Sequence, residues 1–207
     1  MLFTPPYEKV IREVTVNLRN YITNPDTTVV VNVDTINGFF KKGKLASNRL
    51  KAIIPQIKQV NEYYLDSPKL FFVDSHTSES EELNSYPEHC VDKYESEVIS
   101  ELEAFAEVGE IIPKNCTNGF FCKQFLAWLA KHKEIENIVI VGGCTDICVM
   151  QFALAMRAYW NESNNNNRII VIENAVQTYH DDIHNGDMMH NFALFNMYMN
   201  GIKLARL

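Results

Sequence analysis

The chain reads as an α/β protein, a three-layer α/β/α sandwich around a mostly parallel sheet. Three observations predict it. Short β-branched runs are apolar at consecutive positions, as strands buried on both faces must be. Segments with apolar residues three and four apart lie between those runs. The two kinds of segment alternate, which is the order of a doubly wound sheet. A chain of 207 residues suits one such domain, residues 1–207, with a core large enough to need no disulfide or metal for folding.

Each element has its own justification. Residues 7–21 put Val10, Ile11, Val14 and Leu18 on one face of a helix. The run Thr28-Val29-Val30-Val31-Asn32-Val33-Asp34 is a buried strand ending in a carboxylate. Residues 48–65 are helical, with Pro55 either in the first turns or at a kink. Leu70-Phe71-Phe72-Val73-Asp74 repeats the strand-to-carboxylate design. A helix over 96–108 precedes a short strand, 110–114, that ends at Lys114, and a helix over 120–132 follows. Residues 138–143 form a strand closing on Gly142 and Gly143, and Val149, Phe152, Ala153, Met156 and Trp160 mark a strongly apolar helix. After a polar loop at 164–167 come a strand at 168–173, a helix at 187–199 and a short strand at 202–204.

Composition narrows the partners. With 19 basic against 26 acidic side chains the net charge is −7, and a pI near 5.4 argues against nucleic acid, whose phosphates would be repelled. No apolar run reaches the ~18 residues of a membrane span. Residues 1–6, Met1-Leu2-Phe3-Thr4-Pro5-Pro6, lack the basic start and apolar core of a signal peptide, so a cytoplasmic protein is expected. Five cysteines, an odd number with no Cys-x-x-Cys pair, argue against a disulfide framework and against a cysteine zinc site.

Ligands of open parallel sheets bind beyond the carboxyl ends of the strands. Four such places carry polar groups: Asp34, Asp74, Lys114 and the segment Gly142-Gly143-Cys144-Thr145-Asp146-Ile147-Cys148-Val149. In the last, a buried strand turns tightly into an apolar helix. Thr145 or Asp146 can cap that helix, which puts Cys148 in its first turn. Free N–H groups there favour a thiolate and can receive an oxyanion. The plainer reading makes Cys148 a small core residue. Asp34 is the candidate base and Lys114 the candidate cation of a triad drawn from three strand ends.

A second constellation is Asp74-Ser75-His76, then Glu82, then Tyr86-Pro87-Glu88-His89-Cys90. Carboxylates and neutral imidazoles suit zinc, manganese or iron(II); the alternative is a solvated acidic loop. His180, His184 and His190 are irregularly spaced among aspartates, and a solvated loop is the better account of them.

Taken in order, these motifs resemble the isochorismatase-like cysteine hydrolases, and among them most closely the nicotinamidases. Val33-Asp34-Thr35-Ile36-Asn37-Gly38-Phe39-Phe40 is similar to the opening Asp motif, and Lys114-Asn115-Cys116-Thr117-Asn118-Gly119-Phe120 to the catalytic-Lys segment. The resemblance covers roughly residues 28–207, leaving 1–27 as an amino-terminal helical extension. It implies a nucleophile at Cys148, a base at Asp34 and its cationic partner at Lys114. It also implies an oxyanion hole from the N–H groups of Cys144 and Cys148, with a cis peptide between Gly143 and Cys144. Asp74, His76 and His89 correspond to ligands of one divalent metal ion, zinc first and manganese or iron next, and Glu82 takes the place of a fourth. Phe39 and Tyr86 would line a pocket for a flat ring. The chemistry implied is hydrolysis of nicotinamide, a small-molecule amide, to nicotinate and ammonia within NAD salvage. The alternatives are another small amide, ureido or carbamoyl compound, or a silent binding protein. The resemblance also leaves room for a homo-oligomer. The departures are Ser75 where Trp is usual, Tyr86 for a common Trp, Cys144 for Ala and Gly143 for a branched residue.

Overall fold

The structure, a computed structural model, describes residues 7–21 and 24–207. The signal-peptide reading rests on residues 1–6 and lies outside that set.

Among the described residues, seven strands make one sheet: β1 (Val16–Asn17), β2 (Thr28–Val33), β3 (Lys69–Asp74), β4 (Glu110–Lys114), β5 (Asn137–Gly143), β6 (Arg168–Gln177) and β7 (Lys203–Arg206). Their order is β1-β7-β6-β5-β2-β3-β4, and every neighbouring pair is parallel. All residues of β2, β3 and β5 are buried, as consecutive apolar positions require of central strands.

Alternate strand residues feed two cores. Val29, Val31, Val33, Leu70 and Phe72 pack with Ile11, Phe125, Trp128, Phe152, Met156 and Leu194 on one face. Val30, Phe71, Val73, Val139 and Val141 pack with Leu50, Ile57, Val60 and Leu102 on the other. The helices of the layers are α1 (Tyr7–Val14), α2 (Asn37–Phe40), α3 (Asn48–Ala52), α4 (Ile54–Tyr63), α5 (Lys93–Ser96), α6 (Glu103–Ala106), α7 (Lys123–Lys131), α8 (Met150–Glu162) and α9 (Gly186–Met199). Three layers result, as the sequence predicts. Among the described residues no helix is long and apolar enough to cross a membrane.

Several boundaries differ from the sequence reading, each for a tertiary reason. The amino-terminal helix stops at Val14, because Val16 and Asn17 pair with Ala205 and Arg206 to form an edge strand. The extension is therefore helical only in part. The helix over 48–65 divides at Ile53, with Pro55 in the opening turn of α4, where a missing N–H costs least. The region 96–108 holds only short helical pieces. Its start is drawn out beside residues 35–37: Asn37 N–H donates to Glu97 O at 2.9 Å, and Ile99 N–H to Thr35 O at 3.0 Å.

β2 runs outward to β3 and β4 on one side, and the chain then returns to β5, β6 and β7 on the other. The strand order reverses between β2 and β5. A cleft at their carboxyl ends is where this topology places a ligand.

Candidate active site

Asp34 leaves β2 at that reversal with φ of 49°, a left-handed conformation in which aspartate is several-fold enriched. Across the cleft, Gly142 has φ of 115°. A Cβ there would lie 2.0 Å from Val33 O, so only glycine lets β5 run this close to β2. The peptide between Gly143 and Cys144 is cis. Residues Thr145–Val149 then form a π-helical turn that feeds α8, with Val149 N–H donating to Cys144 O at 3.1 Å. The capping expectation fails here. Cys144 occupies the cap position without a side-chain bond, and Thr145 and Asp146 are engaged elsewhere.

The three triad candidates meet. Lys114 Nζ lies 2.9 Å from Asp34 Oδ2 and 3.8 Å from Cys148 Sγ, and it also pairs with Asp74. Asp34 Oδ1 accepts from the Asp74 N–H at 3.2 Å. All four side chains are buried. Burial, and then the Asp74 charge, push the Asp34 carboxyl up to about 7 against the opposing pull of Lys114. Asp74 goes the other way: burial disfavours its charge, but Lys114 above all, with the His76 and His89 rings beside it, holds it below the usual carboxylate range. Burial also works against the Lys114 charge, and Asp34 and Asp74 override it, so this ammonium is held well into its charged form.

Cys148 corrects the sequence reading. Burial pushes its thiol well up, and Lys114 only partly offsets that, with Asp34 and Asp74 adding to the rise. The resting group is a thiol whose sulfur lies within 4.8 Å of an Asp34 carboxylate oxygen. A helix terminus that favours thiolate in isolation is outweighed here by the dry, acid-lined surroundings.

Asp74, His76 and His89 bring one ligand atom each to within 4.8 Å of one another. Their orientation fits a cation. His76 Nδ1 is 3.0 Å from Asn115 Oδ1, and His89 Nδ1 is 2.7 Å from Pro87 O. Donation of each Nδ1–H to those oxygens turns the Nε2 lone pairs inward. Nε2 of His76 and of His89 lie 3.8 and 3.6 Å from the Asp74 carboxylate. His76 Nε2 is buried without a hydrogen-bond partner, as is Glu82 Oε2. The Phe39 and Tyr86 rings stand 5.7 and 6.2 Å from the His89 ring, so both border this cluster.

A model of the isochorismatase domain matches residues 28–201 of this chain. The chain belongs to the isochorismatase family. It is 33% identical over 150 residues to Nicotinamidase 1 of Arabidopsis thaliana, a match that spans 63% of this chain and 61% of that protein. Among solved structures, N-carbamoylsarcosine amidase from Thermoplasma acidophilum is similar with a TM-score of 0.70 at 26% identity, covering 87% of this chain and 96% of that one. The pyrazinamidase of Pyrococcus horikoshii, solved in complex with zinc, gives 0.71 at 20% identity over 87% and 99%, a likeness of fold.

Within this isochorismatase-family site, Glu82 stands apart from the three clustered ligand atoms. Its Oε1 accepts from the Thr117 N–H at 2.9 Å, and only Oε2 is left without a partner. Sequence reasoning gave Asp74 one role, yet the structure gives it two, since it touches both Lys114 and the histidines. It also missed Asn115 and the Pro87 carbonyl as orienting groups. Asn115 adjoins Lys114, and Pro87 lies two residues before His89, so proximity in sequence was the available signal. His184 and His190 were assigned to a solvated loop; instead they bond Asp146 and Thr145. All five cysteines are free.

Proposed function

We propose that this isochorismatase-family protein is an amidohydrolase converting nicotinamide to nicotinate and ammonia through a Cys148 thioester. The observation that carries it is the position of Lys114, which joins Asp34 and Cys148 to the Asp74–His76–His89 cluster in one buried contact set. Asp34 takes the thiol proton as sulfur attacks the amide carbon, and a carboxyl near 7 is well matched to that transfer. Backbone N–H groups of Cys144 and Cys148 receive the oxyanion. Collapse breaks the C–N bond while Asp34 returns its proton to the leaving nitrogen, giving ammonia and a thioester. Asp34 then accepts a proton from water as it attacks, and nicotinate leaves with Cys148 restored. Asp74, His76 and His89, with Glu82 as the fourth candidate, would hold a divalent ion, zinc first. Such an ion would supply a Lewis-acidic anchor for a ring nitrogen. Phe39 and Tyr86 flank the ring.

Similarity to both a nicotinamidase and a carbamoyl amidase keeps a ureido or carbamoyl substrate as the second reading. Ammonia release from nicotinamide by the zinc-supplied protein is the test. Cys148→Ser and Asp34→Asn should each lose ~10²–10⁴-fold in kcat with circular dichroism unchanged. Because the groups act as one unit, the double variant should lose little more than either single one. Release from N-carbamoyl glycine derivatives alone would move the substrate to the second reading. No release from either would leave a binding protein.

A further inference from the structure

Between Cys144 and Cys148 the π-turn carries two polar side chains, Thr145 and Asp146, and both are buried. Neither caps the helix. Thr145 Oγ1 lies 2.9 Å from His190 Nδ1 on α9, and Asp146 Oδ2 lies 2.7 Å from His184 Nε2 in the segment between β6 and α9. The Asp146 and His184 side chains are only 3% and 11% exposed. Asp146 Oδ1 has no hydrogen-bond partner, so compensation of this buried carboxylate falls to His184.

The histidine is itself held. Its ring stacks on Tyr179 with centroids 3.9 Å apart and planes 9° from parallel, and Nδ1 is 3.1 Å from Tyr179 O. The two ring nitrogens thus face oxygens on opposite sides, the Asp146 carboxylate and the Tyr179 carbonyl. Asp181 Oδ1 accepts from the N–H groups of Ile183 and His184 at 2.9 and 2.7 Å. Arg49 ties the two ends of the segment, reaching Thr178 O at 3.1 Å and Asp187 Oδ1 at 2.6 Å. A rigid arm thus grips the turn at two successive residues. π-Turns are rare in isolation and concentrate at functional sites, so an outside constraint is what such a turn needs.

We infer that His184 and His190 are positioning residues for the nucleophile turn, with the Asp146–His184 pair setting the placement of Cys148. This rests on the reading of Cys148 as the nucleophile. Without His184, an unpaired buried carboxylate would sit two residues from the thiol and disfavour its ionisation, while the turn would lose one of its two holds.

Three substitutions separate hydrogen bonding from packing. His184→Ala removes both. His184→Phe keeps the stack on Tyr179 but has no donor. His184→Gln places an amide nitrogen near the Nε2 position. In His184→Ala, kcat for nicotinamide should fall by about 10²-fold with KM within twofold, since a misplacement of about 1 Å costs that order of rate. Alkylation of Cys148 by iodoacetamide, quantified by peptide mapping, should slow in proportion. His184→Phe should match Ala, and His184→Gln should recover most of both rates. The alkylation measurement needs no substrate, so a wrong substrate and a wrong clamp give different results. Full recovery by Phe would show that packing alone matters and overturn the proposal. Equal losses in Gln and Ala, or wild-type alkylation in Ala, would overturn it as well.

Discussion

His190 is the side chain whose protonation the fold opposes most plainly. Burial lowers its pKa, Arg49 lowers it further, and Glu173, Asp146 and Asp187 only partly restore it. The unfolded chain takes up a proton near pH ~6.5, and the folded chain does so at a lower value. Stability from neutral His190 is therefore complete above about pH 6.5 and is lost as pH falls through the folded value. His190→Asn keeps an atom at the Nδ1 position that bonds Thr145 and removes the titration. Its Tm should fall less than that of wild type between pH 7.5 and 5.5; equal slopes would remove His190 as the cause. The polar residues at strand ends were legible in sequence because a carboxylate or an ammonium closing an apolar run has few structural reasons to be there. Asp34, Asp74 and Lys114 stand out in that way. The resting state of Cys148 was not legible. It depends on burial and on two carboxylates 74 and 114 residues away in sequence, and no local pattern carries that sum.

At the scale of elements, β2, β3, β5 and β6 were readable because β-branched runs buried on both faces leave little alternative. β1 was not: two residues have no periodicity, and their strand state exists only through β7. Lys69 shows how one element finishes another. At the start of β3 its buried ammonium donates to Tyr64 O at 2.7 Å and to Leu65 O and Ser67 O at 2.9 Å each, just past the end of α4. Carbonyls at a helix end have no partner within the helix, and cations are favoured there. Burial lowers the Lys69 pKa, with Asp66 opposing, yet three acceptors compensate the ammonium. Lys69→Met should cost about 1–3 kcal/mol through the carbonyls it abandons, seen as a Tm lower by roughly 3–10 °C. Turnover at 25 °C should not change, because α4 ends away from the cleft. A Tm equal to wild type would mean that water replaces the ammonium at no cost.

Across the whole molecule, the carboxyl edge gathers Asp34 from β2, Asp74 and His76 from β3, Lys114 from β4 and Cys148 from the turn after β5. His89 arrives from the long connection between β3 and β4, which the histidine contacts close over the edge. This layout decides what a bound metal would do for stability. Lys114 already pairs with the Asp74 charge, and Nδ1 of each histidine is bonded to a protein oxygen. The fold therefore holds these ligands without help from an ion. Chelation should remove nicotinamide hydrolysis while lowering Tm only by the mass-action contribution of a ligand bound to the native state, and zinc should restore both. Calorimetric titration should find one zinc per chain in wild type and none in His76→Ala, whose Tm zinc should leave unchanged. Glu82→Ala should weaken binding less than His76→Ala, since only one Glu82 oxygen is free to turn inward. Full-rate turnover in protein shown metal-free by elemental analysis would remove the substrate-holding role. A cooperative loss of structure on chelation would instead make the ion part of the fold, and Lys114 insufficient for Asp74.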